Sequence, residues 1–279
     1  MQVIETIGDF RRARAAFGRL GLVPTMGYLH EGHLSLVRQA RATCGAVAVS
    51  IFVNPTQFGP QEDFATYPRD TERDMRLLRS APTDLVFVPT VSTMYPQGFA
   101  SLVEVAGVTE VLEGAARPGH FRGVATVVCK LLNIVQPTHA FFGQKDAQQV
   151  VVIQTMVRDL NLPTEVVVGP TVREPDGLAM SSRNTYLSPP ERQAATVLYR
   201  ALVAAQQRYA QGVREGEAMR QTMHQVLDRE PLARTDYVSV ADPRTLQELD
   251  AVGDQGALLS MAVFIGTTRL IDALLLSEP

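Results

Sequence analysis

Apolar, β-branched runs occupy residues 20–23, 46–53, 85–88, 139–142 and 165–168, and between them apolar positions recur at helical spacing around 32–43, 70–80, 122–135 and 146–159. Strands alternating with helices predict a parallel sheet, and strands without a polar face predict helices on both sides. Residues 1–170 therefore read as an α/β domain with a doubly wound parallel sheet. Past Gly169-Pro170 the pattern changes. Ser188-Pro189-Pro190-Glu191 carries a serine cap, an early proline and a capping-box glutamate, which predict the start of one long alanine-rich helix. A further helical stretch at 215–229 and strand-like segments at 236–240, 257–265 and 269–275 predict a smaller α+β domain over 171–279.

The chain's 279 residues exceed one average domain, in agreement with two. Hydrophobic residues make up 46% and charged residues 20%, which argues against disorder and fibrous repeats. Lys and Arg number 26 against 29 Asp and Glu, so no basic field favours a nucleic acid partner. Cys44 and Cys129 both lie in apolar runs and read as small buried hydrophobes in a reducing compartment. No basic segment followed by an apolar core marks the N-terminus, so the expected location is the cytoplasm. The apolar stretch 46–53 is too short to span a bilayer, and no membrane role is expected.

In a doubly wound sheet, ligands bind beyond the carboxyl ends of the strands, and the unusual residues here follow strand ends at 24–33, 54–58 and 143–146. Pro24 and Gly27 are expected to break the first strand, and Leu34, Val37 and Ala40 then recur at helical spacing. His30 and His33 thereby fall at a helix N-terminus, where unpaired N–H groups and a positive dipole hold an anion. A phosphate neighbour would favour charged rings that donate from both nitrogens. Helix capping and metal binding are the competing readings. An H-x-x-H pair without cysteine or a well-placed carboxylate is weak zinc chemistry, and Glu31 is expected to point away from both rings.

Met180-Ser181-Ser182-Arg183 follows Asp176-Gly177-Leu178-Ala179 and reads as a mobile turn with two hydroxyls and one fixed cation, either a phosphate clamp or a turn with a solvated arginine. Gly143-Gln144-Lys145-Asp146 ends a strand and starts a helix, with Lys145 as a point charge for phosphate and Asp146 as a cap or nucleotide contact. Gln57 and Gln149 are neutral hydrogen-bonders suited to hydroxyls and a carboxylate, or are plain surface residues. No serine–histidine–acid order, Walker sequence or G-x-G-x-x-G occurs. The residues suit displacement at a nucleotide phosphate without a protein nucleophile.

Segment 24–37 resembles the HIGH-type signature of nucleotidylyltransferases and class I aminoacyl-tRNA synthetases, and Met180-Ser181-Ser182-Arg183 is similar to their KMSKS counterpart. Val23-Pro24-Thr25-Met26-Gly27, Ser50 through Phe58, Tyr67-Pro68-Arg69, Arg117-Pro118-Gly119-His120-Phe121-Arg122-Gly123 and Asp176 through Asn184 together resemble the pantothenate synthetase family. The likeness runs in order from near residue 3 to near residue 272.

The resemblance implies a Rossmann-like sheet of the HIGH superfamily that binds ATP and pantoate, with the C-terminal domain as a lid. It implies ATP-dependent condensation of pantoate with β-alanine through a pantoyl adenylate, giving pantothenate, AMP and diphosphate. It assigns ATP to Met26, Gly27, Tyr28, Leu29, His30, Glu31, Gly32, His33, Gly143, Gln144, Lys145, Asp146, Val172, Met180, Ser181, Ser182 and Arg183. His30, His33, Lys145 and Arg183 carry the catalytic charge, with His33 commonly given as proton donor. Magnesium-bound diphosphate departs readily unprotonated, so the histidines are expected to act mainly by electrostatics.

Gln57 is assigned to pantoate and β-alanine, Gln149 to pantoate, and Asn54 and Tyr67 to their support. Mg²⁺ accompanies ATP, with Asp74 either a ligand or a solvated helix charge. A cytoplasmic homodimer is implied. Gln144 departs from the family's G-E-K-D, and Ala273 stands where an asparagine is common, at a position expected to be far from the motifs. The rival readings are another nucleotidylyltransferase acting on a phosphorylated acceptor, which would call for extra cations around the pocket, and a sensor that binds ATP without turnover.

Overall fold

The computed structural model describes residues 1–276, so the last three residues of the expected 171–279 domain lie outside the described residues. The chain divides into two compact units. One comprises 1–106, 117–143 and 152–170, and the other comprises 107–116, 144–151 and the chain from 171 onward.

The first unit holds six parallel strands, β1 (Gln2–Ile4), β2 (Gly21–Thr25), β3 (Val47–Ile51), β4 (Leu85–Phe87), β5 (His139–Gly143) and β6 (Glu165–Gly169), in the order β1-β4-β3-β2-β5-β6. Their connections are helices α1 (Ile7–Arg14), α2 (Glu31–Cys44), α3 (Thr71–Ser80), the short α4 (Val91–Met94), and, beyond an excursion through 107–116 that contains α5 (Glu113–Ala116), α6 (His120–Val135). Helix α7 (Ala147–Asp159) begins in the second unit and ends in the first. Strands β3 and β4 are buried at every position, as a sheet covered on both faces demands. The sequence shows no sign of β1, because a three-residue edge strand of mixed polarity has no period to read.

Pro24 does not break β2, which continues to Thr25. The Gly21 N–H donates to Ala46 O and the Phe52 N–H to Thr25 O, so odd positions of β2 face β3 and even positions face β5. Pairing with β5 is confined to Gly21 and Leu22, so the N–H that Pro24 lacks would have pointed where the ladder has already ended. Strand order reverses at β2, and the crevice between the carboxyl ends of β2 and β5 is where such a sheet takes its ligand.

In the second unit, β7 (Ala233–Ala241), β8 (Ala257–Ile265) and β9 (Thr268–Leu276) form an antiparallel sheet whose core is shared with α8 (Pro189–Ala194), α9 (Val197–Ala210) and α10 (Gly216–Leu227). The expected single helix is two. Ser188 and Glu191 form the capping box, but at Ala195 and Thr196 the bonds shift to three-residue spacing, Thr196 N–H to Gln193 O and Leu198 N–H to Ala195 O. The Thr196 hydroxyl also donates to Gln193 O, the back-bonding by which threonine bends helices. The excursion through 107–116 is tied down here by Arg269, whose fork donates to both oxygens of the buried Glu113 at 2.8 Å each and which also pairs with Asp236. Cys44 is buried as expected, whereas Cys129 is only half-buried and takes a contact from Asn133 Nδ2. Among the described residues, no helix is long and apolar enough to cross a membrane.

Candidate active site

The loop from Met26 to His30 leaves β2 through two consecutive residues in the left-handed region, Gly27 at φ +84° and Tyr28 at φ +50°. A Cβ on Gly27 would sit 3.0 Å from Asp74 Oδ2 and 3.1 Å from Ile51 Cγ2, so both backbone angle and space require glycine. The conformation aims the Tyr28 and Leu29 amides inward, each 2.8 Å from a different oxygen of Asp74. Asp74, on α3, is 1% exposed. Burial pushes its carboxyl above the usual range, against the opposing pull of the Leu29 and Tyr28 amides and Arg73. It is therefore not a solvated helix charge. Both of its oxygens are committed to backbone, which is a poor starting point for a metal ligand.

His30 caps α2. The His30 N–H donates to His33 Nδ1 at 3.2 Å, the His33 N–H returns to His30 O at 2.9 Å, and the two rings lie 4.1 Å apart. Helix capping thus belongs to both residues. Because Nδ1 of His33 accepts, the neutral ring carries its proton on Nε2 and presents one donor. Donation from both nitrogens, as a charged ring beside a phosphate would make, requires this cap bond to open. With Tyr28, Leu29, His30, His33 and Leu34 amides engaged inside the protein, the loop offers an anion the N–H groups of Glu31 and Gly32, the first two of α2. The Glu31 carboxylate pairs with Arg38, away from both rings as expected.

A short 3₁₀ turn, Pro55–Gln57, follows β3, and Asn54 before it is 1% exposed. The orientation of the Asn54 amide is fixed by neighbours of known polarity. Its Oδ1 accepts from the Thr56 N–H and hydroxyl and from Tyr95 Oη at 2.7 Å, and its Nδ2 donates to Gly123 O at 3.2 Å. The same Nδ2 donates to Gln57 Oε1 at 3.1 Å, which leaves Gln57 presenting its –NH₂ group, 3.2 Å from Met26 Sδ. Gln57, Asn54 and Met26 are thus brought together, and Gln57 is preset as a donor. Tyr67 is buried against Phe58, with ring centroids 5.9 Å apart. Tyr95 was not legible in the sequence, because nothing local marks a tyrosine 41 residues away as the partner of Asn54.

In the second unit, a bonded hairpin leads into Met180-Ser181-Ser182-Arg183. Arg173 and Ala179 bridge, the Glu174 N–H donates to Leu178 O, and the Met180 N–H donates to Val172 O at 3.0 Å. This joins Val172 to Met180 and leads into a 3₁₀ turn, Ser182–Tyr186, capped by Ser181, whose oxygen accepts from the Arg183 N–H. Arg173 anchors the hairpin by donating to both oxygens of Asp272, at 2.6 and 3.0 Å, and to Gly177 O, with Tyr199 beneath its guanidinium. Burial pushes the Asp272 carboxyl up, while Arg173 and the more distant Lys145 oppose it.

Lys145 lies in the turn Gln144–Asp146, its Nζ 3.1 Å from Asp146 Oδ1. Gln149 is half-buried on α7, while the neighbouring Gln148 is consumed structurally by Val108 O, Val111 O and the Glu113 N–H. Position 273 is not remote. Ala273 is 3% exposed and packs in one cluster with Ala147 and Val151, on the helix that carries Gln149.

The family model described as pantoate-beta-alanine ligase matches residues 2–275. The pantothenate synthetase of Chloroflexus aggregans is 68% identical over 276 residues, covering 99% of this chain and 100% of that one. The crystal structure of pantothenate synthetase from Thermus thermophilus superposes with a TM-score of 0.95 at 49% identity, each chain covered completely. That of pantoate-beta-alanine ligase from Francisella tularensis, complexed with beta-gamma ATP and beta-alanine, gives 0.80 at 34% identity, covering 99% of this chain and 97% of that one. Matched in sequence along nearly its whole length and in fold throughout, the chain belongs to the pantoate-beta-alanine ligase family.

Proposed function

We propose that this chain condenses (R)-pantoate with β-alanine at the expense of ATP, forming pantothenate, AMP and diphosphate through a pantoyl adenylate. The observation that carries this reading is the Gln57 carboxamide, fixed by Asn54 as a neutral donor beside the loop that begins at Met26. A donor without charge suits the hydroxyl or carboxylate oxygens of a small acid better than a phosphorylated acceptor, which would call for cations.

In the first step, a pantoate carboxylate oxygen attacks the α-phosphorus and the bond to the β-phosphate oxygen breaks. In the second, the β-alanine amine attacks the acyl carbon, the C–N bond forms, AMP leaves and the amine sheds a proton. Gln57 also holds β-alanine, and Gln149 holds pantoate. Met26 through His33, Gly143 through Asp146, Val172 and Met180 through Arg183 hold ATP. His30 and His33 with the Glu31 and Gly32 amides, and Lys145 with Arg183, stabilise charge on the phosphates as diphosphate departs. Mg²⁺ arrives on the ATP phosphates as part of the substrate and leaves with diphosphate. It fits this role because both oxygens of Asp74, the candidate ligand, are taken by backbone amides. The second unit serves as a lid, and the working protein is a cytoplasmic homodimer, to be checked by light scattering in solution.

AMP release from ATP under single-turnover conditions tests the reaction. Diphosphate and pantoyl adenylate are expected with pantoate alone, and AMP and pantothenate only after β-alanine is added. AMP formation independent of pantoate, or no turnover with both acids present, removes the reading.

On this reading His33 acts as an electrostatic donor and not as the acid, with its Nδ1 taken up by the His30 N–H. His33→Gln keeps a capping-box acceptor for the His30 N–H and an –NH₂ donor in place of Nε2–H. Its adenylation rate is expected to stay within about tenfold of the parent with an unchanged pH profile, since one positioned proton transfer would account for more, ~10²–10⁴. A larger loss together with a vanished limb of the pH profile would assign proton transfer to this ring.

A further inference from the structure

The segment Arg117-Pro118-Gly119-His120-Phe121-Arg122-Gly123 stands out in the sequence but holds none of the residues assigned above to ATP, pantoate or β-alanine. Its geometry is directed at Gln57. His120, the first residue of α6, has Nδ1 2.8 Å from Gln57 O and Nε2 3.2 Å from an Nη of Arg117. A carbonyl only accepts and a guanidinium only donates, so Nδ1 carries the hydrogen and Nε2 the lone pair. In that tautomer Nδ1 is the atom that donates to the Gln57 carbonyl.

Arg117 donates to both oxygens of Glu62, at 2.7 and 2.6 Å. Burial works to raise the Glu62 carboxyl, but the Arg117 bonds and charge hold it below its usual range, so the pair stays ionised. Three links therefore run in series from Glu62 through Arg117 and His120 to the Gln57 backbone. The helix presses directly on the same turn, since a Cβ on Gly123 would lie 2.3 Å from Thr56 O and 2.7 Å from Gln57 Cα. Asn54 fixes which end of the Gln57 carboxamide faces outward, whereas the carbonyl bond fixes where that carboxamide stands.

We propose that His120, held by Arg117 and Glu62, is a positioning residue that sets Gln57 for its acid substrate through the Gln57 carbonyl. The proposal rests on the assignment of Gln57 to pantoate and β-alanine made above. It acts through one donor atom, and the test is built on that atom. In His120→Asn the side-chain amide nitrogen reaches the place of Nδ1, whereas in His120→Gln it reaches only the place of Nε2.

His120→Ala and His120→Gln are expected to raise the KM for pantoate about tenfold, the scale of a small misplacement of a binding group, with the KM for ATP within about twofold. His120→Asn should return the pantoate KM to within about threefold of the parent, because the donor to the carbonyl is restored. In a Gln57→Ala background, His120→Gln should add nothing further to the pantoate KM, since coupled residues are non-additive. Equal pantoate KM values for the Asn and Gln variants, or full additivity with Gln57→Ala, would overturn the proposal while leaving the assignment of Gln57 intact. An unchanged pantoate KM in Gln57→Ala alone would overturn both, and it is recognised because that variant leaves His120 in place. If His120→Ala does not fold, the Asn and Gln pair decides.

Discussion

Lys145→Met should lower the single-turnover rate of diphosphate release from ATP and pantoate by about 10²–10³-fold, the cost of removing one preorganised charge from a site where charge develops in the transition state. Strand β5 ends at Gly143 and the chain turns immediately into the 3₁₀ turn Gln144–Asp146, so the Lys145 ammonium is carried on a short turn. Its side chain is 17% exposed and that of Asp146 43%, so the ion pair between them is partly shielded and its other half faces water. A triphosphate carries more charge than Asp146 and can take the ammonium over at little cost, because the exposed carboxylate is readily resolvated.

Methionine keeps the length and apolar stem of lysine, so the fold should be unaffected and the melting temperature should move little. Lys145→Arg is expected to recover only part of the rate, because a planar fork does not replace a compact point charge. Rapid quench of ATP, pantoate and excess enzyme measures the step directly. A loss confined to the KM for ATP, with the saturated rate unchanged, would make Lys145 a binding residue only.

How much of this could be read beforehand depended on whether the signal was local. Five of the six parallel strands are apolar runs bounded by glycine or proline, and the helices between them carry 3.6-residue periods, so sheet and class were legible. The His30–His33 pair, the Ser188 capping box and the residues after β2, β3 and β5 also announce themselves within a few positions. The partnerships that fix the site do not. Asp74 serves amides 45 and 46 residues away, Asp272 serves Arg173 across 99 residues, and Glu113 serves Arg269 across 156. A single carboxylate on an amphipathic helix looks the same whether it is buried under a loop or facing water. Pro24 misled for a related reason, since proline's effect on a strand depends on which side its missing N–H would have faced, a property of sheet order and not of sequence.

Asp74 holds the loop that leads into α2 by both of its oxygens, which makes it the most consequential residue outside the proposed contacts. Asp74→Asn retains size and shape, but only its oxygen can accept; the –NH₂ group must meet the Tyr28 or Leu29 N–H, donor against donor. One buried amide is left unsatisfied at a cost of about 1–3 kcal/mol. The loop can relieve this only by turning that amide out, which moves the left-handed pair Gly27–Tyr28 and with it the start of α2. Stability should therefore fall modestly, by ~2–4 °C in melting temperature for each kcal/mol in a domain of this size. Function should fall further. His30, His33 and the Glu31 and Gly32 amides are all positioned by this turn, and a displacement near 1 Å in groups that align a reaction costs on the order of 10²-fold.

The expected result is a rise in the KM for ATP together with a fall in the adenylation rate, in a protein whose circular dichroism is unchanged. Titrating Mg²⁺ at fixed ATP separates this from a metal-ligand role. A carboxylate that held the ion would, once replaced, leave a defect that rising Mg²⁺ repairs. Asp74, spent on two backbone amides, should leave one that Mg²⁺ does not touch.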